Sequence, residues 1–179
     1  MKLTRSICLF ILCATQLCCA SQPDPVCELI EVEVEGVGAF IRHEIVTPDT
    51  TYVRYKCECI LAGQNVELIT YSDSGASIED PRYQARVARV YSSLNESLAQ
   101  HLSDVNPAVI RLAESYDAEY SSDWPTRIEL DLVRIPFDMP VELSFNSHRD
   151  PIEPKLFHGL DLNLRFDDDW RLLRAWFDG

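Results

Sequence analysis

Residues 51–102 read TYVRYKCECI LAGQNVELIT YSDSGASIED PRYQARVARV YSSLNESLAQ HL, and the period of the apolar positions changes within them. Val53, Tyr55, Cys57, Cys59 and Leu61 alternate with Tyr52, Arg54, Lys56 and Glu58. Alternation of that kind gives a strand with one buried face. Ala62-Gly63-Gln64-Asn65 reads as a turn into a second run, Val66 to Tyr71, so the pair is expected to form a hairpin. Asp80-Pro81 then supplies an N-cap acid followed by proline at the first helical position. From there Tyr83, Val87, Val90, Tyr91, Leu94, Leu98 and Leu102 recur at steps of three and four, which predicts one long amphipathic helix ending near Leu102.

Working outward, Ile30, Val32 and Val34 alternate with Glu31, Glu33 and Glu35, a half-buried strand with an acidic outer side. Gly36 and Gly38 punctuate it, Phe40 to Val46 is extended again, and Thr47-Pro48-Asp49 turns the chain. Downstream, Asn106-Pro107 repeats the helix-start signal, and Val109, Ile110, Ala113 and Tyr116 mark a shorter second helix. Ser121 to Pro125 is expected to be a loop. The last third is β: Arg127 to Ile135 with Ile128, Leu130 and Leu132 on one face, Val141 to Phe145, and Leu160 to Phe166. Asp167-Asp168-Asp169 then turns into Trp170 to Phe177, a hairpin partner or a helical tail. The expected fold is α+β: a mainly antiparallel sheet with one long and one short helix packed on one face.

Three stretches carry a resemblance: Val37-Gly38-Ala39-Phe40, the hairpin Leu61 to Leu68, and Phe157-His158-Gly159-Leu160 with the closing Asp178-Gly179. Across most of residues 36–179 the layout resembles small bacterial α+β domains of unknown function of the immunity-protein type. The chain departs from that pattern in having His158-Gly159 where glycine before histidine is expected, and such proteins are usually cytoplasmic. The resemblance implies a binding domain and transfers no active-site residues.

The N-terminus has the three-part layout of a secretory signal. Lys2 and Arg5 are followed by an apolar run from Ile7 to Leu17, too short to span a bilayer, and by Cys18-Cys19-Ala20 before Ser21-Gln22-Pro23. The expected organisation is a signal peptide over residues 1–20 and a single domain over 21–179. Two readings of the cleavage site stand: release after Ala20, or cleavage before Cys18 or Cys19 with acylation and a membrane anchor. Expected localisation is therefore secreted or periplasmic, with a membrane-anchored lipoprotein as the alternative.

The whole chain carries a formal charge of −13. Losing Lys2 and Arg5 leaves fourteen basic against twenty-nine acidic side chains, or −15. That balance excludes nucleic acid as a partner, since phosphate binding needs a basic footprint. It leaves open a cationic protein partner, a metal ion, or a charge that serves solubility alone. Of seven cysteines, four lie in the signal, leaving Cys27, Cys57 and Cys59. Cys57 and Cys59 share a strand face at a spacing that disfavours a bridge between them. The expectation is one disulfide from Cys27 to Cys57 or Cys59, set against three free thiols.

Only His148, Asp150, His158 and Asp161 cluster with metal-ligand chemistry, imidazole and carboxylate together suiting zinc or a similar divalent ion. Asp167-Asp168-Asp169 lacks the spacing of a calcium loop and reads as a solvated turn. There is no nucleophile elbow and no phosphate-cradling glycine loop, so no catalytic residue and no cofactor are expected. Asn95-Glu96-Ser97 matches a glycosylation acceptor but falls within a predicted helix. The functional expectation is an exported, acidic, non-enzymatic binding protein, inhibitor or immunity-like toward a cationic protein. The alternatives are a divalent-metal-binding module or hydrolase built on the His148–Asp161 region, and a structural envelope lipoprotein.

Overall fold

A computed structural model describes residues 30–46, 48, 51–71 and 77–179. The helix begins where the sequence signals it: Asp80 Oδ1 accepts the Arg82 N–H at 2.8 Å, and Pro81 occupies the first turn. This helix, α1, runs Pro81–Ser115, and its 35 residues extend about 52 Å. Four strands precede it: β1 (Glu31–Val34), β2 (Gly38–Val46), β3 (Thr51–Leu61) and β4 (Gln64–Tyr71). After it come a four-residue helical turn α2 (Trp124–Arg127) and β5 (Glu129–Arg134), β6 (Val141–Asn146), β7 (Asp161–Phe166) and β8 (Leu172–Asp178). Short 3-10 turns at Ser147–Arg149 and Leu156–Gly159 lie between β6 and β7.

All eight strands form one sheet in chain order, β1 to β8. Neighbours are antiparallel except β4 and β5, which are parallel because α1 carries the chain back between them. This corrects the α+β expectation. The fold is predominantly a sheet, largely antiparallel, with a single long helix, and the short second helix is not a separate element.

The error lies at Asn106-Pro107, read as a new start. Val105, Val109 and Ala113 continue the buried stripe of Leu94, Leu98 and Leu102 with no break in phase. An interior proline costs about 3 kcal/mol, whereas burying a valine gains about 1.5–3 kcal/mol, so Val105 and Val109 alone offset it. Asn106 is engaged elsewhere: its Oδ1 accepts from Trp124 Nε1 at 2.9 Å and from the Tyr120 hydroxyl at 2.8 Å.

The apolar stripe of α1 packs against the inner face of the sheet. Tyr55, Cys57, Leu61 and Leu68 line the first half of that face, and Leu130, Leu143, Phe145, Leu162 and Leu164 line the second. Tyr83, 1% exposed, points its hydroxyl at the carbonyls of Tyr71 (2.8 Å) and Ile135 (2.7 Å), tying the ends of the two parallel strands to the helix. Trp124 packs edge-on against Phe145 and Phe157 and closes the far end.

A second correction concerns β5. Leu132 does not share the inner face with Ile128 and Leu130, because the ladder slips between Leu130 and Leu132. This bulge inserts one residue, so Leu130, Val133 and Ile135 are buried while Leu132 is only half-buried on the outer side.

Candidate functional site

The β3–β4 hairpin turns on two residues, Ala62 and Gly63, both with positive φ (49° and 82°). Such a turn fixes the register. Leu61 then faces Gln64, and three pairs further along Glu58 faces Glu67. Two carboxylates therefore sit directly opposite on the outer face. The same happens at the other side of the sheet, where Asp161 of β7 faces Asp178 of β8. Like charges directly opposed on a sheet destabilise it, by roughly 0.2–1 kcal/mol per pair.

Between the two pairs lies the β5 bulge, where Asp131 stays outward beside Leu130 and Leu132 joins it on the outer side. Glu58, Glu67 and Asp131 line a hollow of about 510 Å³ together with Ile60 and Leu132. An adjoining hollow of about 390 Å³ shares Asp131 and Leu132 and reaches Asp161, Asn163 and Asp178. Together they make an acidic trough across β3 to β8. Its counter-charges come from its rim. Lys56 Nζ donates to Glu67 at 2.6 Å, and the exposed Arg149 reaches Glu129 (3.3 Å) and Asp131 (3.5 Å). Asp161 keeps one buried carboxylate oxygen without a partner among the described residues. An unmatched buried acceptor is uncommon and marks a place where a donor would be welcomed.

Two ladder positions from Glu58 and Glu67, and four from Asp161 and Asp178, the charges change sign, and Arg134 of this row also lines the second hollow. Lys56, Arg134, Glu142, Arg165 and Arg174 fall in register from β3 to β8. Here Glu142 lies between Arg134 and Arg165, although Arg165 and Arg174 directly oppose each other. Arg165 Nε donates to Glu142 at 2.8 Å, Arg134 approaches the same carboxylate at 3.6 Å, and Arg165 and Arg174 both lie over the Trp176 ring. Lys56 of this row is also the counter-charge of Glu67, while Glu58, Asp161 and Asp178 have no ion-pair partner among the described residues.

The four residues expected to hold a metal are not brought together. Among the described residues no three His, Cys, Asp or Glu side chains converge on a metal position. Asp150 is fully buried and committed to the fold: it takes Arg127 Nη2 at 2.7 Å and the Ile152 and Leu156 N–H groups at 3.0 Å each. Burial works to raise its pKa, but those N–H groups and Arg127 more than offset it and hold the carboxyl below the usual aspartate range. His158 donates from Nε2 to the Asp117 carbonyl at 2.8 Å. It stands in a left-handed run, Phe157, His158 and Gly159, that sends Phe157 into the core and leaves His158 outside. His148 is exposed, its ring against Gly159. Of the four, only Asp161 belongs to the trough.

Cys57 and Cys59 are both thiols on β3, buried and half-buried. Burial, then the neighbouring Cys57, pushes the Cys59 thiol up to about 11, and burial with Glu33 and Glu58 raises Cys57. Neither has the lowered pKa of a reactive cysteine. Cys27, the lipidation candidates Cys18 and Cys19, and the signal segment lie outside the described residues. In the Asp167-Asp168-Asp169 turn, Asp167 Oδ1 accepts the N–H groups of Asp169 and Arg171, while Asp168 pairs with Arg86 and Arg89 of α1. Asn95 Oδ1 accepts the Ala62 N–H at 2.9 Å and so supports the β3–β4 turn.

Reading the sequence alone missed Glu58, Glu67, Asp131 and Asp178. The first two were within reach, since a two-residue turn at Ala62-Gly63 dictates their opposition. The outward side of Asp131 follows from its alternation with Leu130, but nothing in Leu130-Asp131-Leu132 announces the bulge that brings Leu132 out beside it.

The fold and trough together define a sheet-dominated domain with one helix behind the sheet and an acidic surface in front. No family model, curated protein or solved structure matches this chain.

Proposed function

We propose that the protein is an exported, non-enzymatic binding protein whose acidic trough takes a cationic segment of a partner protein, in the manner of an inhibitor or immunity factor. One observation carries the reading: two directly opposed carboxylate pairs, Glu58/Glu67 and Asp161/Asp178, lie at the two sides of one trough with Asp131 between them. A lysine or arginine side chain laid between opposed carboxylates removes their repulsion and gains charge-assisted hydrogen bonds. The excess of acidic over basic side chains supports it, because a negative field speeds the encounter with a basic partner.

The test is titration of a fluorescent arginine- and lysine-rich peptide by anisotropy at low and high salt. Binding at low ionic strength that weakens as the Debye length shrinks supports the proposal. Binding indifferent to salt, or none at low salt, overturns it.

A further inference from the structure

Beyond the trough, the sheet has two ends, and among the described residues neither β1 nor β8 carries a further strand on its outer side. A free edge presents unpaired N–H and C=O groups that template another strand. The two edges differ in charge. On β1, Glu31 and Glu33 are exposed, and Val32 and Val34 turn inward. On β8, Arg174 and Trp176 stand on the outer side in register with Arg165 and Asn163, while Ala175 and Phe177 turn inward. Each edge also exposes one large apolar residue, Ile30 (40%) beside β1 and Leu173 (54%) on β8.

We propose that a second copy of this chain adds its β1 to the β8 edge. Pairing β1 with β1 would oppose glutamates, which is disfavoured on adjacent strands, while pairing β8 with β8 can set Arg174 opposite Asp178 but leaves both glutamate edges bare. Only β1 on β8 sets Glu31 and Glu33 beside Arg174 on the outer face and valines beside Ala175 and Phe177 on the inner one. Asp178 lies at the end of β8, so the favourable register centres on Arg174. Such a contact is head-to-tail, leaving one edge open at each end, so assembly passes beyond a dimer into rings or short rows. With only four residues in β1, the contact is small and the association depends on concentration.

Sedimentation velocity on the purified protein over a wide concentration range tests this. The wild type should shift to larger species as concentration rises. The Glu31→Lys/Glu33→Lys variant and the Arg174→Glu variant should each stay monomeric alone, and mixing them should restore the larger species, because each then offers the other an opposite edge. Recovery on mixing also shows that both variants are folded. A wild type that remains monomeric throughout, variants that assemble as it does, or a mixture that stays monomeric would overturn the proposal.

Discussion

Replacing Asp150 with alanine removes an acceptor shared by the Arg127 guanidinium and two backbone N–H groups. The carboxylate has no solvent exposure, and its partner Arg127 is 13% exposed, so truncation leaves a nearly buried guanidinium with only the Ile152 and Pro154 carbonyls and no counter-charge. The Ile152 and Leu156 N–H groups lose their acceptor as well. Breaking a buried pair from one side costs about 3–5 kcal/mol. For a chain of this size each kcal/mol lowers Tm by roughly 2–4 °C, so Asp150→Ala should melt about 6–20 °C below wild type at pH 7. The sign of the pH dependence follows from the depressed carboxyl. Its stabilisation is complete above the unfolded aspartate pKa of about 3.9 and is lost as pH falls through the lower folded value. The gap between the two proteins should therefore hold from pH 7 to about pH 5 and narrow in stronger acid. Thermal melts followed by circular dichroism across that range provide the readout. A loss under about 1 kcal/mol at pH 7, or a gap that widens in acid, would refute the account of Asp150 as a structural anchor.

Asn106→Ala should cost about 1–3 kcal/mol in urea denaturation, because it strands the indole N–H of the fully buried Trp124. With its thiol near 11, Cys59 in the reduced, folded protein should have only about 0.1% thiolate at pH 8. Iodoacetamide labelling read by mass spectrometry should then run on the order of 100-fold slower than in the denatured chain. Mass spectrometry of the mature N-terminus separates the two cleavage readings: Ser21 is expected as the first residue, and an acylated cysteine would replace release with a membrane anchor.

The strands were legible because burial on one face of a sheet writes alternation directly into the chain, as at Tyr52 to Leu61 and Leu160 to Phe166. The helix start was legible for a similar local reason, the Asp80-Pro81 cap. What failed was non-local. Pro107 looks like a boundary when read by itself, and only the burial of Val105, Val109 and Ala113 against the sheet keeps the helix going. The bulge that turns Leu132 outward answers to the partner strand β6, whose Phe145 and Ser144 pair with Leu130 and Leu132. The expected metal cluster failed because proximity in sequence between His148 and Asp161 does not orient side chains. Arg127, from a different element, claims Asp150 first.

The central claim is that the trough gives up stability in order to bind cations, and one variant examines both halves together. In Glu58→Gln/Asp161→Asn each opposed pair keeps its shape but loses its repulsion. Measured by urea denaturation and by anisotropy with the same basic peptide, the variant should gain roughly 0.4–2 kcal/mol of stability over the two pairs while its affinity falls at least tenfold. A variant that binds the peptide as tightly as wild type, or that is destabilised, would contradict the account.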